Sequence, residues 1–166
     1  MSSSMLMGTI IAVSLAALAG WLIFLQRKAS LAESKKVDNS KMLQLQALER
    51  LTLLTDRIAL PNIIGRVNVP GYSIRDMQQA ITQAIREEFE YNITQQIYVS
   101  AEAWSAVKNL KDQNMLIVNQ LASTMPANAT GLDLCKLLLE YLMNDKKGNL
   151  HEVVSEVLSY EAKKLL

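Results

Sequence analysis

Residues 74–97 read IRDMQQAITQAIREEFEYNITQQI, and this stretch decides the fold class. Its apolar residues recur every three or four positions, which is the spacing of one face of an α-helix. The residues on this face are Ile74, Met77, Ile81, Ile85, Phe89, Ile93 and Ile97. We therefore predict one long amphipathic helix over 74–97. Ser73 and Asp76 stand where a capping pair at the start of this helix would lie.

The remainder of 41–166 shows the same helical spacing. One stripe begins near Lys41 and should end before Pro61, and 61–72 reads as an irregular connection because it holds the Pro70-Gly71 pair. Three further helices are predicted, each by a residue or residue pair suited to an N-cap: Ser100, Thr130 with Asp133, and Asn149 with Glu152. No segment shows the alternation of a strand, so the fold class is all-α.

The run 5–25 is different, because it contains no charged residue. As a helix it would span roughly 31 Å, which matches the hydrocarbon core of a bilayer. A cleavable signal peptide is the alternative, but no basic segment precedes the run, and the run continues past the Ala17-Leu18-Ala19 triplet. We predict a transmembrane anchor over 1–25, a polar juxtamembrane stalk over 26–40, and a soluble domain of about five amphipathic helices over 41–166.

Two groups of residues concern the membrane. Small residues recur every fourth position and would let another helix approach closely, although anchors are in general rich in alanine and glycine: Gly8, Ala12, Ala16 and Gly20. Basic residues follow the span closely: Arg27, Lys28, Lys35, Lys36 and Lys41. This asymmetry predicts an N-terminus outside and a cytoplasmic C-terminal domain, with anionic lipid as a partner. The stalk fits either a flexible tether or a helical continuation.

Chemistry-bearing motifs are scarce in this sequence. One histidine, His151, and one cysteine, Cys135, are too few for a metal site of the usual kind, and no phosphate-binding or nucleophile motif occurs. Glu87, Glu88 and Glu90 read as the solvent face of a helix. Seventeen basic and sixteen acidic residues give a net charge of +1, which does not favour nucleic acid. We predict no cofactor and no catalytic residue.

Aromatic and amide side chains gather around 91–104. They predict either a surface for a protein partner or a corner of the domain's packing, and the sequence leaves both open: Tyr91, Gln95, Gln96, Tyr98 and Trp104.

Four blocks carry a resemblance: LQALERLTLLTDR (45–57), REEFEYNITQQIYVS (86–100), EAW (102–104) and ATGLDL (129–134). With these blocks the chain resembles a family of uncharacterised proteins, mostly from Bacteroidota, that have one N-terminal membrane span and a helical cytoplasmic domain. The resemblance covers roughly 45–140 and implies a setting at the bacterial inner membrane. The family has no assigned activity, so the resemblance transfers no functional residues.

Three functions fit these observations. The first is an interaction module, a structural or adaptor subunit held at the inner membrane that binds a protein partner through its helix faces or its span. The second is a membrane-tethered enzyme or ligand-binding bundle, which requires a pocket with converging polar groups. The third is a regulator that senses anionic lipid.

Overall fold

The computed structural model describes the backbone of residues 3–144 and 150–166, and the side chains of 18–28, 30, 38–144 and 150–166. In this part of the chain there are six α-helices and one 3₁₀ helix, and no strand. The α-helices are α1 (Ser3–Ile58), α2 (Leu60–Val67), α3 (Ile74–Tyr91), α4 (Ala101–Thr124), α5 (Gly131–Asn144) and α6 (Leu150–Leu165). The 3₁₀ helix (Ile93–Ile97) follows α3. The predicted all-α class is confirmed.

The chain divides into two compact units, Met1–Met42 and Leu43–Leu166. In the first unit the described side chains, 18–28, 30 and 38–42, are all exposed. Residues 26–40 are helical, which agrees with the helical alternative for this segment and not with the flexible tether. Within the part of the chain that the structure describes, no helix has both the length and the apolar character needed to cross a membrane. The predicted span therefore gains no support here, and the side chains of 5–17 lie outside the described residues.

In the second unit α3 is the central element, because it packs against α2, α4 and α5, while α6 packs against α4. The fully buried side chains come from all of these helices and from the last turns of α1. The largest of them are Leu51, Leu54, Ile58, Leu60, Ile63, Met77, Ile81, Ile85, Leu110, Leu134, Leu138 and Leu158. Apart from Leu60 and Ile63, these side chains belong to helical stripes that the sequence predicted. Burying such aliphatic side chains is the main favourable contribution to folding.

Capping begins α3, α4 and α5 as predicted. Ser73 and Asp76 form a reciprocal capping box, and the hydroxyl of Ser100 accepts from the N–H of Ala103 at 3.0 Å. The N–H of Thr130 donates to Asp133 at 2.9 Å, and Thr130 accepts in return from the N–H of Asp133 at 3.3 Å. These bonds satisfy N–H groups that have no partner within the helix. The expected cap at Asn149 lies outside the described residues.

The starts of α3 and α5 are joined to each other. Ser73 and Thr130 form an isolated antiparallel bridge, and the N–H of Gly131 donates to the carbonyl of Tyr72 at 2.8 Å. Before α3, Gly71 adopts a φ of 89°, a left-handed conformation that glycine tolerates without steric cost. The Pro70-Gly71 pair therefore makes the turn that brings the two helix starts together.

The expectation of an irregular connection over 61–72 is wrong for its first part, where α2 runs from Leu60 to Val67. As expected, α1 ends before Pro61, at Ile58. Pro61 itself lies in the first turn of α2. A proline is well tolerated there because its missing N–H would have no partner in the helix. The helix buries Ile63 and Ile64, whose burial stabilises an otherwise short element.

The expectation of one helix over 74–97 is wrong after Tyr91. The side-chain amide of Asn92 donates to the carbonyl of Glu88 at 2.9 Å, and the N–H of Asn92 bonds to the carbonyl of Phe89 at 3.1 Å. The α-helical bond to Glu88 is thereby replaced, and the chain tightens into the 3₁₀ helix. As a result Ile97 is 73% exposed and does not extend the buried stripe of α3.

Candidate functional site

An open groove of about 610 Å³ lies where the last turns of α1 meet the end of α3. From α1 it is lined by Arg50, Leu53, Leu54 and Arg57, and from the end of α3 by Glu87, Glu88, Tyr91 and Asn92. All of these residues belong to the unit Leu43–Leu166. We call this site the Arg50 groove.

One end of the Arg50 groove is held by a three-residue ion cluster. Two nitrogens of Arg57 donate to the two carboxylate oxygens of Glu88, with Nε 2.8 Å from Oε2. Arg66 donates to Glu88 Oε1 from Nη1 at 3.1 Å and to the carbonyl of Arg57 from Nη2 at 2.7 Å. Two guanidinium groups thus surround one carboxylate, and the cluster carries a net positive charge.

Electrostatics in this cluster follow from its hydrogen bonds. The hydrogen bonds from Arg57 lower the pKa of Glu88, with a smaller contribution from Arg66, so the carboxylate stays ionised at neutral pH. The side chain of Glu88 is 17% exposed, whereas those of Arg57 and Arg66 are 46% and 37% exposed. The positive charge therefore faces solvent and the negative charge faces the protein.

The other end of the groove is aromatic and apolar. The guanidinium carbon of Arg50 lies 5.5 Å from the ring centroid of Tyr91, which is a cation–π distance. Tyr91 is 75% exposed and Leu53 is 58% exposed. Arg50 forms no ion pair or hydrogen bond with another side chain among the described residues. Its charge is available to a bound molecule.

The structure separates the predicted aromatic and amide cluster into two parts. Gln95 is buried, and Trp104 is half-buried against Phe89 with the ring centroids 5.1 Å apart. Three members face solvent: Tyr91, Gln96 and Tyr98. The cluster therefore includes a packing corner as well as an exposed surface, and Tyr91 alone of the five lines the Arg50 groove.

The membrane-related residues are described only in part. Those with described side chains are all exposed: Gly20, Arg27, Lys28 and Lys41. The others lie outside the described side chains: Gly8, Ala12, Ala16, Lys35 and Lys36. A methyl group added at Gly20 would meet nothing within 4 Å, so its small size is not required by a contact in the structure.

Sequence reasoning missed the arginines of the groove and read Glu88 as a solvated residue. A usable signal was present, since Arg50 and Arg57 are seven residues apart and so lie on the same face of α1. Nothing local indicated Arg66 as a partner, because the expected loop over 61–72 gave its side chain no defined position.

Two further observations concern metal-ligating and nucleophilic side chains in the described part of the chain. No group of three histidine, cysteine or carboxylate side chains there is placed to hold a metal ion. Cys135 is buried, and its burial raises the pKa of the thiol, which disfavours the reactive thiolate. Cys135 is thus a core residue, as its apolar neighbours in the sequence predicted.

The fold and the groove define a class of protein: a small all-helical protein that presents an arginine-rimmed surface groove. A model of the family of unknown function DUF7935 matches residues 3–165, and the chain belongs to this family. The match extends beyond the 45–140 region in which the sequence resemblance was seen. Neither a comparison with curated proteins nor one with solved structures gives a match.

Proposed function

We propose that this protein is a membrane-anchored helical interaction module, a structural or adaptor subunit whose partner docks in the Arg50 groove. The proposal rests on the exposed side chains of Tyr91 and Leu53, which lie beside the unpaired charge of Arg50. Aromatic residues and arginine are the residue types that contribute most to protein–protein binding. Together they favour a protein surface as the occupant.

Charge indicates the chemistry of the partner. The ion cluster at one end of the groove carries one positive charge in excess, and Arg50 adds another, against the single carboxylate of Glu87. Glu87 already accepts a hydrogen bond from Gln83 at 2.7 Å. A segment with an acidic residue beside an apolar one would complement both the arginines and the exposed Leu53 and Tyr91.

The proposed anchor is the run 5–25. Its described part, 18–25, consists of apolar residues and glycine that are exposed around the whole helix, including Trp21 at 63% and Phe24 at 58%. A continuous apolar surface of this kind is unfavourable in water and marks a membrane or protein contact. The exposed Arg27, Lys28 and Lys41 fit a cytoplasmic side rich in anionic lipid. We propose a bacterial inner-membrane location with the C-terminal domain in the cytoplasm.

The docking proposal is tested by affinity purification of the tagged full chain from gently solubilised native membranes, with quantitative mass spectrometry. Leu53→Glu places a charge in the groove, and Leu132→Glu places the same charge on α5, where Leu132 is 51% exposed and does not line the Arg50 groove. We expect a stoichiometric partner that Leu53→Glu reduces at least about tenfold and that Leu132→Glu retains. If every recovered partner is kept by Leu53→Glu, the groove is not the docking site.

The anchor proposal has a separate test. The full-length chain, fused at its C-terminus to a fluorescent protein that matures only in the cytoplasm, should remain in the membrane fraction after alkaline carbonate washing. Fluorescence of this fusion would support a cytoplasmic C-terminal domain. Replacement of three apolar residues of the run, Leu18, Leu22 and Leu25, by serine should release it. Release of the unchanged chain by carbonate would overturn the anchor and leave the groove untouched.

A further inference from the structure

A second cavity, of about 590 Å³, lies between α2, α4, α5 and α6. Its volume falls in the range of pockets that hold small molecules. Much of its wall is aliphatic, with side chains from all four helices: Leu60, Leu110, Ile117, Leu142, Leu150 and Val153. It shares no residue with the Arg50 groove, and it is more enclosed.

The polar part of this cavity consists of amide, imidazole and phenol side chains. Asn109, Gln113 and Asn114 of α4 and His151 of α6 contribute the polar side chains near the aliphatic wall, together with Tyr141. No lysine, arginine, aspartate or glutamate among the described residues lines the cavity. None of the described lining residues offers a counter-ion to a charged molecule, which would lose its hydration on entry and is therefore disfavoured. A neutral molecule meets no such penalty.

Asn114 supplies a directed acceptor. The residue is only 6% exposed, and its Nδ2 donates to the carbonyl of Ile58 at 2.7 Å, which fixes the plane of the amide. Its Oδ1 has no hydrogen-bond partner among the described residues. No fully buried side-chain polar atom of the described residues lacks a partner, so this oxygen is not sealed in the core, and Asn114 lines the cavity. A nearly buried acceptor without a partner favours a ligand that brings a donor.

We propose that this cavity binds a neutral, largely apolar small molecule that donates a hydrogen bond to Oδ1 of Asn114. The wall provides the area for an aromatic or aliphatic body, and the amide provides orientation. This activity is independent of the interaction function proposed for the Arg50 groove, because the two sites have no residue in common.

Two fluorescent probes with one framework test the proposal on the full chain in phosphatidylcholine nanodiscs. N-phenyl-1-naphthylamine is neutral and carries one N–H, and 8-anilino-1-naphthalenesulfonate adds a negative charge to the same framework. After subtraction of empty nanodiscs, we expect saturable binding of the neutral probe with about one site per chain. The sulfonate should bind at least about tenfold more weakly at this site, because no lysine or arginine stands among the described residues that line the cavity.

Variants locate the site. Val153→Trp enlarges a cavity-lining side chain that is 53% exposed, so the change should fill the cavity without disturbing the core. We expect it to weaken the neutral probe at least about tenfold, whereas Leu132→Trp, outside the cavity, should leave binding unchanged. Methylation of the probe nitrogen should weaken binding about fivefold, which is the usual contribution of one hydrogen bond.

Three results would overturn the proposal: no saturable binding of the neutral probe, equal binding to wild type and Val153→Trp, or tighter binding of the sulfonate at the Val153-sensitive site. If Val153→Trp leaves sulfonate binding unchanged and Leu53→Glu abolishes it, the sulfonate binds in the Arg50 groove. In that case the neutral probe alone decides: weaker binding of this probe to Val153→Trp supports the proposed cavity, and unchanged binding overturns it.

Discussion

Replacement of Gly131 by alanine gives the sharpest test of how α3 and α5 are joined. A Cβ added at Gly131 would lie 2.9 Å from the carbonyl oxygen of Tyr72, 3.0 Å from Cβ of Met77 and 3.1 Å from the carbonyl oxygen of Ser73. Two of these three atoms are backbone atoms, so no side-chain rotation relieves the overlap. The helix starts must move apart, which strains the 2.8 Å bond from the N–H of Gly131 to Tyr72.

The magnitude follows from two opposing contributions. Overpacking of a closely packed site costs about 1–3 kcal/mol, and loss of part of a buried backbone hydrogen bond adds about 1 kcal/mol. Alanine regains at most about 1 kcal/mol relative to glycine, and less in the first turn of a helix. We therefore expect Gly131→Ala to lower the free energy of unfolding by about 2 kcal/mol.

Gly65 provides the matched control, because the same methyl group added at this position in the last turn of α2 meets nothing within 4 Å. Gly65→Ala should raise the free energy of unfolding by about 0.5–1 kcal/mol, through the lower entropy of the unfolded chain. Urea unfolding of the full-length variants, followed by far-ultraviolet circular dichroism, measures both changes. Equal or greater stability of Gly131→Ala would refute the close approach of the two helix starts.

The remaining predictions concern the ion cluster, the aromatic corner and the helix caps. Glu88→Gln should cost about 1 kcal/mol at neutral pH. The pKa of Glu88 is lowered in the folded state, so the difference in unfolding free energy between wild type and Glu88→Gln is fully present above the ordinary glutamate pKa. It disappears as the pH falls through the lowered pKa of the folded state. Urea unfolding of both proteins across an acid pH series measures this difference. Trp104→Ala should cost about 3 kcal/mol by thermal unfolding, and Tyr91→Ala under about 1 kcal/mol; similar costs would contradict the division into corner and surface. Hydrogen bonds from Ser73 lower the pKa of Asp76, and hydrogen bonds from Thr130 lower the pKa of Asp133. Replacing both aspartates by asparagine should therefore reduce the loss of unfolding free energy on acidification. An unchanged dependence of stability on acid pH would argue against the caps.

Part of the candidate site was visible in the sequence. Tyr91 and Trp104 belong to the group for which the sequence left a partner surface and a packing corner open; Tyr91 lines the groove, while Trp104 packs against Phe89. The sequence could not distinguish the two residues, because helical spacing shows which side chains share a face only when they lie on the same helix. Tyr91 ends α3, whereas Trp104 belongs to α4. The break at Asn92 interrupts the helical spacing between them. The same break explains why Ile97 is exposed although it continues the spacing of Ile85.

Most of the helices and their stripes, apart from the break after Tyr91, and the caps at Ser73, Ser100 and Thr130 were determined by the sequence alone. The physical reason is that capping bonds and helical faces join residues three or four positions apart, so the pattern is complete within a short window. The helix at 60–67 was not predicted, because it is short and is stabilised by burial of Ile63 and Ile64 in a core that other helices form.

Only the tertiary structure decided the two sites. Arg57 meets Glu88 across 31 positions of the chain, Arg66 meets it across 22, and Asn114 meets the carbonyl of Ile58 across 56. Contacts at such separations depend on how whole helices pack, and that packing is set by the summed fit of many buried side chains and not by any local pattern. The sequence therefore specifies the helices, while the arginine groove and the second cavity arise from the way those helices are assembled.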